Sequence, residues 1–277
     1  MQSKAHASWT HEARLREVWR PQPGRYTDEE LAEPLLGCGA AGPDCSHDRA
    51  NVLWKVERMV SGDPDGQLGL SGLTGFTVPE VLAMIGEEAG FHPDIFADGE
   101  GPVPIDPFRV LAACRAAGDR LANAARRGEQ VVLGTGHPSG LPLLYMAVAE
   151  LVEEHGAMPI RPAEGFVWRE QGRRREIRYF HGVAMLSDRA STLHTHAPAA
   201  MQAMLQEATP DLVFADHGFA GAAIEAGVDT LSIADVNDPA LVVAKWQGRT
   251  ETVIVMDDNV RPESYWPCFQ AIADAFA

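Results

Sequence analysis

From Gln130 onward, short β-branched or apolar runs alternate with helical segments, and this alternation narrows the folds open to the chain more than any other feature. It is the signature of a parallel sheet with crossover helices, because parallel neighbours cannot be joined by tight turns. Strands are predicted at 130–135, 157–161, 212–215, 230–234 and 252–256, with helices between them. Two further runs, 166–170 and 176–180, read as a β-hairpin inserted into the alternation across Gln171, Gly172 and Arg173. The fold class is therefore α/β, an open and mostly parallel sheet flanked by helices.

The first part of the chain is different in character. Thr27-Asp28-Glu29-Glu30 and Thr77-Val78-Pro79-Glu80 both match the Thr-x-x-Glu capping box, so helices are expected to begin there, the second stopping near Gly90. A Pro- and Gly-rich stretch at 98–107 precedes a long Ala-rich helix over 108–127. We expect a helical, loop-rich N-terminal region over 1–104 packed on an α/β catalytic core over 105–277.

Ligands of an open α/β sheet bind outside the carboxyl ends of its strands, and the residues that follow the predicted strands are polar. The first strand leads into Gly134-Thr135-Gly136-His137-Pro138-Ser139-Gly140; the later ones lead into Asp216-His217-Gly218, Asp235-Val236-Asn237-Asp238 and Asp257-Asp258-Asn259. The glycine-rich loop ends where a helix starts, which suits a phosphate or carboxylate, with Gly134, Thr135, Gly136, His137, Ser139 and Gly140 as the substrate-binding set. It lacks the Gly-Lys-Ser/Thr ending of a Walker loop and misses the dinucleotide glycine spacing by one residue. A tight strand-to-helix turn without a ligand is the alternative.

Carboxylates gathered at the strand ends would repel one another without a counter-charge, which a divalent cation supplies. Asp216, Asp235 and Asp258 are the predicted metal ligands, Mg or Mn fitting oxygen donors and added histidine shifting preference toward Mn, Zn, Ni or Fe. Asp238 precedes Pro239 and reads equally well as a helix N-cap. His194-Thr195-His196 places two imidazoles on one side of an extended segment. His137, His194, His196 and His217, with Asp216, form the predicted catalytic set. His6, His11, His47, His92, His155 and His181 read as surface or packing residues. Cys38 and Cys45 lie too far apart for a zinc knuckle with His47 and His11, and the four cysteines are too few for a disulfide framework.

The cysteine-phosphatase loop, an Asp-x-Asp-x-Thr motif and a Gly-x-Ser-x-Gly elbow are all missing from the sequence, so covalent catalysis lacks its markers and metal-activated water is favoured. The net charge of −16 argues against nucleic-acid and membrane partners while leaving a small anionic substrate open. No apolar run reaches the roughly 20 residues of a membrane span, and the start shows no signal-peptide core, so a soluble, cytoplasmic protein is expected. Homo-oligomerisation is left open.

Gly134-Thr135-Gly136-His137-Pro138, His194-Thr195-His196 with Pro198, Asp216-His217-Gly218, Ala234-Asp235 with Asp238-Pro239-Ala240-Leu241, and Asp257-Asp258 with Tyr265 and Pro267 resemble, in this order, a family of actinobacterial proteins identified generically as phosphatases. The resemblance covers 105–267 and is loose over the first 100 residues. Asn237 stands where that pattern has an acidic residue. It implies a phosphatase; with the residues above, the reading is a metal-dependent phosphomonoesterase acting on a small phosphorylated metabolite. The rivals are a sugar-phosphate isomerase or lyase on the same scaffold and a non-catalytic metabolite-binding protein.

Overall fold

The computed structural model describes residues 17–97 and 99–277, so His6, His11 and Asp98 lie outside the described residues. The strands are β1 (Gln130–Thr135), β2 (Met158–Pro159), β3 (Val167–Glu170), β4 (Arg173–Phe180), β5 (Val183–Ser187), β6 (Leu212–Asp216), β7 (Thr230–Ala234) and β8 (Thr252–Val255). They form one sheet in the order β3-β4-β5-β1-β6-β7-β8, with β2 beside the start of β1. Strands β5, β1, β6, β7 and β8 are mutually parallel, and β3 and β4 add an antiparallel edge. The α/β expectation with its inserted hairpin holds.

The helices are α1 (Asp28–Cys38), α2 (Arg49–Val60), α3 (Pro64–Gln67), α4 (Val78–Ala89), α5 (Pro107–Arg127), α6 (Pro142–Glu154), α7 (Ala199–Glu207), α8 (His217–Glu225), α9 (Pro239–Trp246) and α10 (Trp266–Ala273). Both capping boxes form: Glu30 accepts from the Thr27 N–H at 2.9 Å and Glu80 from the Thr77 N–H at 2.7 Å. Helices α5, α6 and α10 pack as one layer on the sheet, and α7, α8 and α9 pack as the other. Covered on both faces, β5, β6 and β7 are buried along their whole length, as parallel strands usually are. One contiguous apolar core runs from Leu31 to Ala273, so the N-terminal helices bury their side chains in the same core as the sheet.

Two strands depart from the sequence reading. The run at 157–161 pairs only through Met158 and Pro159, opposite Gln130 and Val131, because from Leu133 onward that edge of β1 is taken by β5. Strand β5 was not predicted: its middle residues, Ala184, Met185 and Leu186, are helix formers, and composition does not separate it from a buried helical turn. The chain then turns at 188–191 and delivers His194 to the carboxyl edge of the sheet. The hairpin turn is tighter than expected. Gln171 (φ 47°) and Gly172 (φ 79°) are both left-handed, the conformation of a two-residue hairpin turn, and Arg173 already belongs to β4.

Within the first of the two helix layers, α5 and α10 cross in close contact. A β-carbon on Gly118 would sit 2.4 Å from the carbonyl oxygen of Ile272. In an open helix, Gly→Ala gains about 1 kcal/mol of propensity. Here overpacking against backbone, which typically costs about 1–3 kcal/mol, opposes that gain. Gly118→Ala is therefore expected to lower the thermal unfolding midpoint by a few degrees. A midpoint that rises instead would show that α10 slides freely over α5.

Candidate active site

Strand β6 ends at Asp216, and the next residue, His217, opens α8 with φ 45°. A non-glycine residue in the left-handed region at a strand-to-helix junction is strained, and such strain clusters at functional sites. The junction is fixed from both sides. A β-carbon on Gly218 would lie 2.3 Å from the His196 carbonyl oxygen, one on Gly136 would lie 2.3 Å from that of Thr195, and one on Gly140 would lie 2.3 Å from that of Asp258. These glycines let four segments meet backbone to backbone, holding the β1 loop, the His194 segment and the ends of β6 and β8 in one block.

His217 is the centre of this block. Its Nδ1 lies 2.9 Å from Asp216 Oδ1, which also accepts the Gly136 N–H at 2.7 Å. On the other side, its Nε2 lies 3.2 Å from Asp238 Oδ2 and 3.6 Å from Asp258 Oδ2. Burial by itself would strip the proton from this ring, but Asp238 and Asp216 outweigh it and hold the imidazole charged well above its usual range. The pairing in turn overcomes the burial of Asp238 and keeps its carboxyl well below the usual range. Asp258 is pushed up by burial despite His217, and Asp235 by burial despite His47. The pocket cannot hold all of its negative charge with the cations that the chain supplies.

Three more imidazoles surround His217. Ring centroids are 4.8 Å apart for His196 and His217, which stack, 5.1 Å for His194 and His217, 5.0 Å for His137 and His194, and 5.9 Å for His137 and His217. Burial and the charged His217 hold the pKa of His137 and that of His196 below the usual range, so both rings are neutral. The same causes press His194 down, to about 4.

A second cluster forms where the N-terminal region meets β7 and β8. His47 Nδ1 lies 2.9 Å from Asp235 Oδ2; burial lowers the affinity of this ring for a proton, but Asp235 raises it further, to about 9. Ser46 donates its backbone N–H and, at 3.0 Å, its hydroxyl to Asp257, whose own N–H donates to the Ala40 carbonyl at 3.0 Å. Helix α2 closes the same side: the Asn237 amide donates to Asn51 Oδ1 at 2.9 Å. Between the clusters lies a cavity of about 380 Å³, lined among others by His47, Lys55, His137, Ser139, His196 and Asp258.

The predicted residues thus divide. His137, His194, His196, His217, Asp216, Asp235 and Asp258 all gather at the carboxyl edge of the sheet. Asp216, Asp235 and Asp258, however, do not form one ligand set. Among the described residues, the groups whose donor atoms lie within 4.8 Å of one another are His194/His196/His217, His217/Asp238/Asp258 and His47/Asp235/Asp257. Asp216 sits behind His217 as its hydrogen-bond partner rather than beside the cavity. Asp238 occupies the N-cap position of α9 without a side-chain capping bond; its carboxylate turns to His217 instead. In the glycine-rich loop, Thr135 is buried and its hydroxyl accepts the His137 N–H at 2.9 Å, while the Gly136 N–H is taken by Asp216. Gly134 is also closed in, since a β-carbon there would lie 2.8 Å from the Phe219 ring. The expectation that these glycines open the backbone to an oxyanion gives way to one in which they open it to neighbouring loops, and His137 and Ser139 are the loop residues that line the cavity.

His47 corrects the sequence reading outright. It is neither a surface residue nor a partner of Cys45, whose thiol points at the Gly42 carbonyl 3.4 Å away and is pushed up to about 12 by burial and by Asp257. The available signal was its position directly before Asp48, the cap of α2, which anchors a short loop at a fixed place.

The residues fit a divalent cation. Asp258 Oδ2 and His137 Nδ1, of two residues that line the cavity, are buried without hydrogen-bond partners. Buried polar atoms left without partners are costly, and mixed imidazole and carboxylate donors suit Mn, Zn, Fe or Ni. His217 shows the usual arrangement of a metal-ligating histidine, one nitrogen held by a carboxylate and the other facing the ligand cluster.

The sequence pattern that defines the family described as "Phosphatase" matches residues 26–275. A curated relative, Phosphatase SCO2771 of Streptomyces coelicolor, is 35% identical over 253 residues, covering 89% of this chain and 94% of that protein. No helix among the described residues is long and apolar enough to cross a membrane.

Because Asp216 orients His217, Asp216→Asn is expected to preserve the fold while weakening Mn²⁺ binding roughly 10–100-fold, the usual loss when an outer-shell partner is removed. Isothermal titration of the folded variant with Mn²⁺ reads this directly. Unchanged affinity would remove Asp216 from any role in orienting a ligand.

Proposed function

The chain belongs to this family of phosphatases, and from that premise we propose that it is a metal-dependent phosphomonoesterase acting on a small phosphorylated metabolite. The observation that carries the reading is the convergence of four imidazoles, His137, His194, His196 and His217, and two carboxylates, Asp238 and Asp258, on one cavity at the carboxyl edge of a parallel sheet. Asp238, Asp258 and His217 Nε2, whose proton the metal would displace, would hold the cation, with His194 and His196 completing or extending the set and His47, Asp235 and Asp257 offering a further position. A bound divalent ion lowers the pKa of water to about 7 and neutralises phosphate charge.

The chain's own residues supply the remaining parts. Asp216 accepts the Nδ1 proton of His217 and so keeps Nε2 turned toward Asp238 and Asp258. Lys55, on α2, lines the cavity and would meet a phosphate oxygen with a charge-assisted hydrogen bond, which Ser139 on the opposite loop would supplement. His137 is neutral and lies 3.7 Å from Asp258 through Nε2, with Nδ1 unpartnered. It is suited to take a proton from the attacking water and return it to the leaving alkoxide. Asn237, paired with Asn51, ties α2 to the β7 loop and keeps Lys55 over the cavity. The cavity's size matches a small metabolite rather than a polymer.

Prolonged chelation should abolish release of inorganic phosphate from p-nitrophenyl phosphate, and Mn²⁺ or Mg²⁺ should restore it. Full activity in a preparation verified as metal-free would overturn the metal-dependent reading. A phosphorylated but rearranged product from a sugar phosphate, without phosphate release, would overturn the phosphatase chemistry itself.

A further inference from the structure

Four of the 23 lysines and arginines fall within six residues of β4: Arg173, Arg174, Arg175 and Arg178. In a chain of net charge −16 this is a local reversal of the field. A cavity of about 550 Å³ lies against it, lined by Arg173, Arg174, Arg175, Glu170, Asp188 and His194 among others. His194 also lines the cavity described above, so the two spaces adjoin at that ring.

Hairpin stability accounts for only part of the charge. Arg174 and Arg178 flank Glu176 at 3.0 and 3.1 Å along one face of β4, and Arg175 meets Glu170 at 3.0 Å across the hairpin. Partly exposed pairs of this kind contribute little, about 0–1 kcal/mol each. They leave Arg174 Nε buried without a hydrogen-bond partner, and among the described residues Arg173 has no carboxylate within 4.0 Å. Of the three arginines lining the cavity, Arg174 is thus paired with Glu176 and Arg175 with Glu170, and Arg173 is the one left without a carboxylate. Guanidinium forks match phosphate and carboxylate oxygens in geometry as well as charge.

We propose that this cavity binds a second anionic group of the substrate, a phosphate or a carboxylate, while the scissile phosphate lies beyond His194. The inference rests on the phosphatase reading and deepens it: the preferred substrates are doubly anionic. The basic wall is a binding surface that takes no part in the chemistry, so it should act on substrate affinity alone.

The test uses three non-hydrolysable probes: methylphosphonate, phosphonopropionate and propylenediphosphonate. Each is measured by calorimetry with the Mn²⁺-loaded protein and as an inhibitor of p-nitrophenyl phosphate hydrolysis. At least one doubly anionic probe is expected to bind roughly ten-fold or more tighter than methylphosphonate, the effect of one charge-assisted hydrogen bond. A preference for phosphonopropionate identifies a carboxylate as the second group, and one for propylenediphosphonate identifies a phosphate. Arg173→Ala, at an exposed position beside the turn, should erase the advantage and leave kcat/KM for p-nitrophenyl phosphate unchanged; Arg173→Glu should reverse it. Equal binding of all three probes, or an advantage that survives both variants, would overturn the proposal. If the parent protein releases no phosphate from p-nitrophenyl phosphate, the phosphatase reading fails separately, and calorimetry still reports on the arginines.

Discussion

Five aspartates, Asp216, Asp235, Asp238, Asp257 and Asp258, are each no more than 5% exposed at one edge of the sheet. Buried carboxylates side by side are tolerated only when something answers their charge, and the local architecture can be read as that answer. His217 stands between Asp216 and Asp238, His47 against Asp235, and Ser46 and the Asn259 N–H against Asp257. Where these fall short, burial pushes Asp235 and Asp258 toward the protonated form. A divalent cation meets the same requirement, and the unpartnered Oδ2 of Asp258 at the cavity is placed to bind one.

That charge requirement is met by a precise block of backbone. The left-handed His217 and the contacts at Gly136, Gly140 and Gly218 bring loops from β1, β5, β6 and β8 within a distance that no β-carbon would allow. The N-terminal region completes the enclosure: the 40–47 loop is pinned to Asp257, and α2 brings Asn51 and Lys55 to the cavity rim. The family match beginning at residue 26 takes in this loop and α2, as expected if they are parts of the site and not an independent appendage.

The inserted hairpin extends the same logic outward. An antiparallel pair at the edge of a parallel sheet places arginines beside His194 without altering the central strands. On the function and the second anion site proposed above, chemistry at the strand ends and recognition at the edge would be carried by different elements. On that reading, relatives of one family can keep the aspartates and histidines while the hairpin varies with the substrate.

The α/β class, six of the strands including the two of the hairpin, both capping boxes and the clustering of His137, His194, His196, His217 and the aspartates were legible in the sequence, because periodicity and caps are local properties and polar residues after parallel strands converge by topology alone. Three matters were decided only in three dimensions. Strand β5, with helix formers at Ala184, Met185 and Leu186, is fixed by its pairing with β1. His47 joins the site through a loop whose path is set by hydrogen bonds to Asp257, about 210 residues away along the chain, and no local pattern encodes such a contact. The division of labour among aspartates, with Asp216 behind His217 and Asp238 facing it, follows from the left-handed turn at His217, and a residue's type does not reveal which side of a neighbour it will occupy.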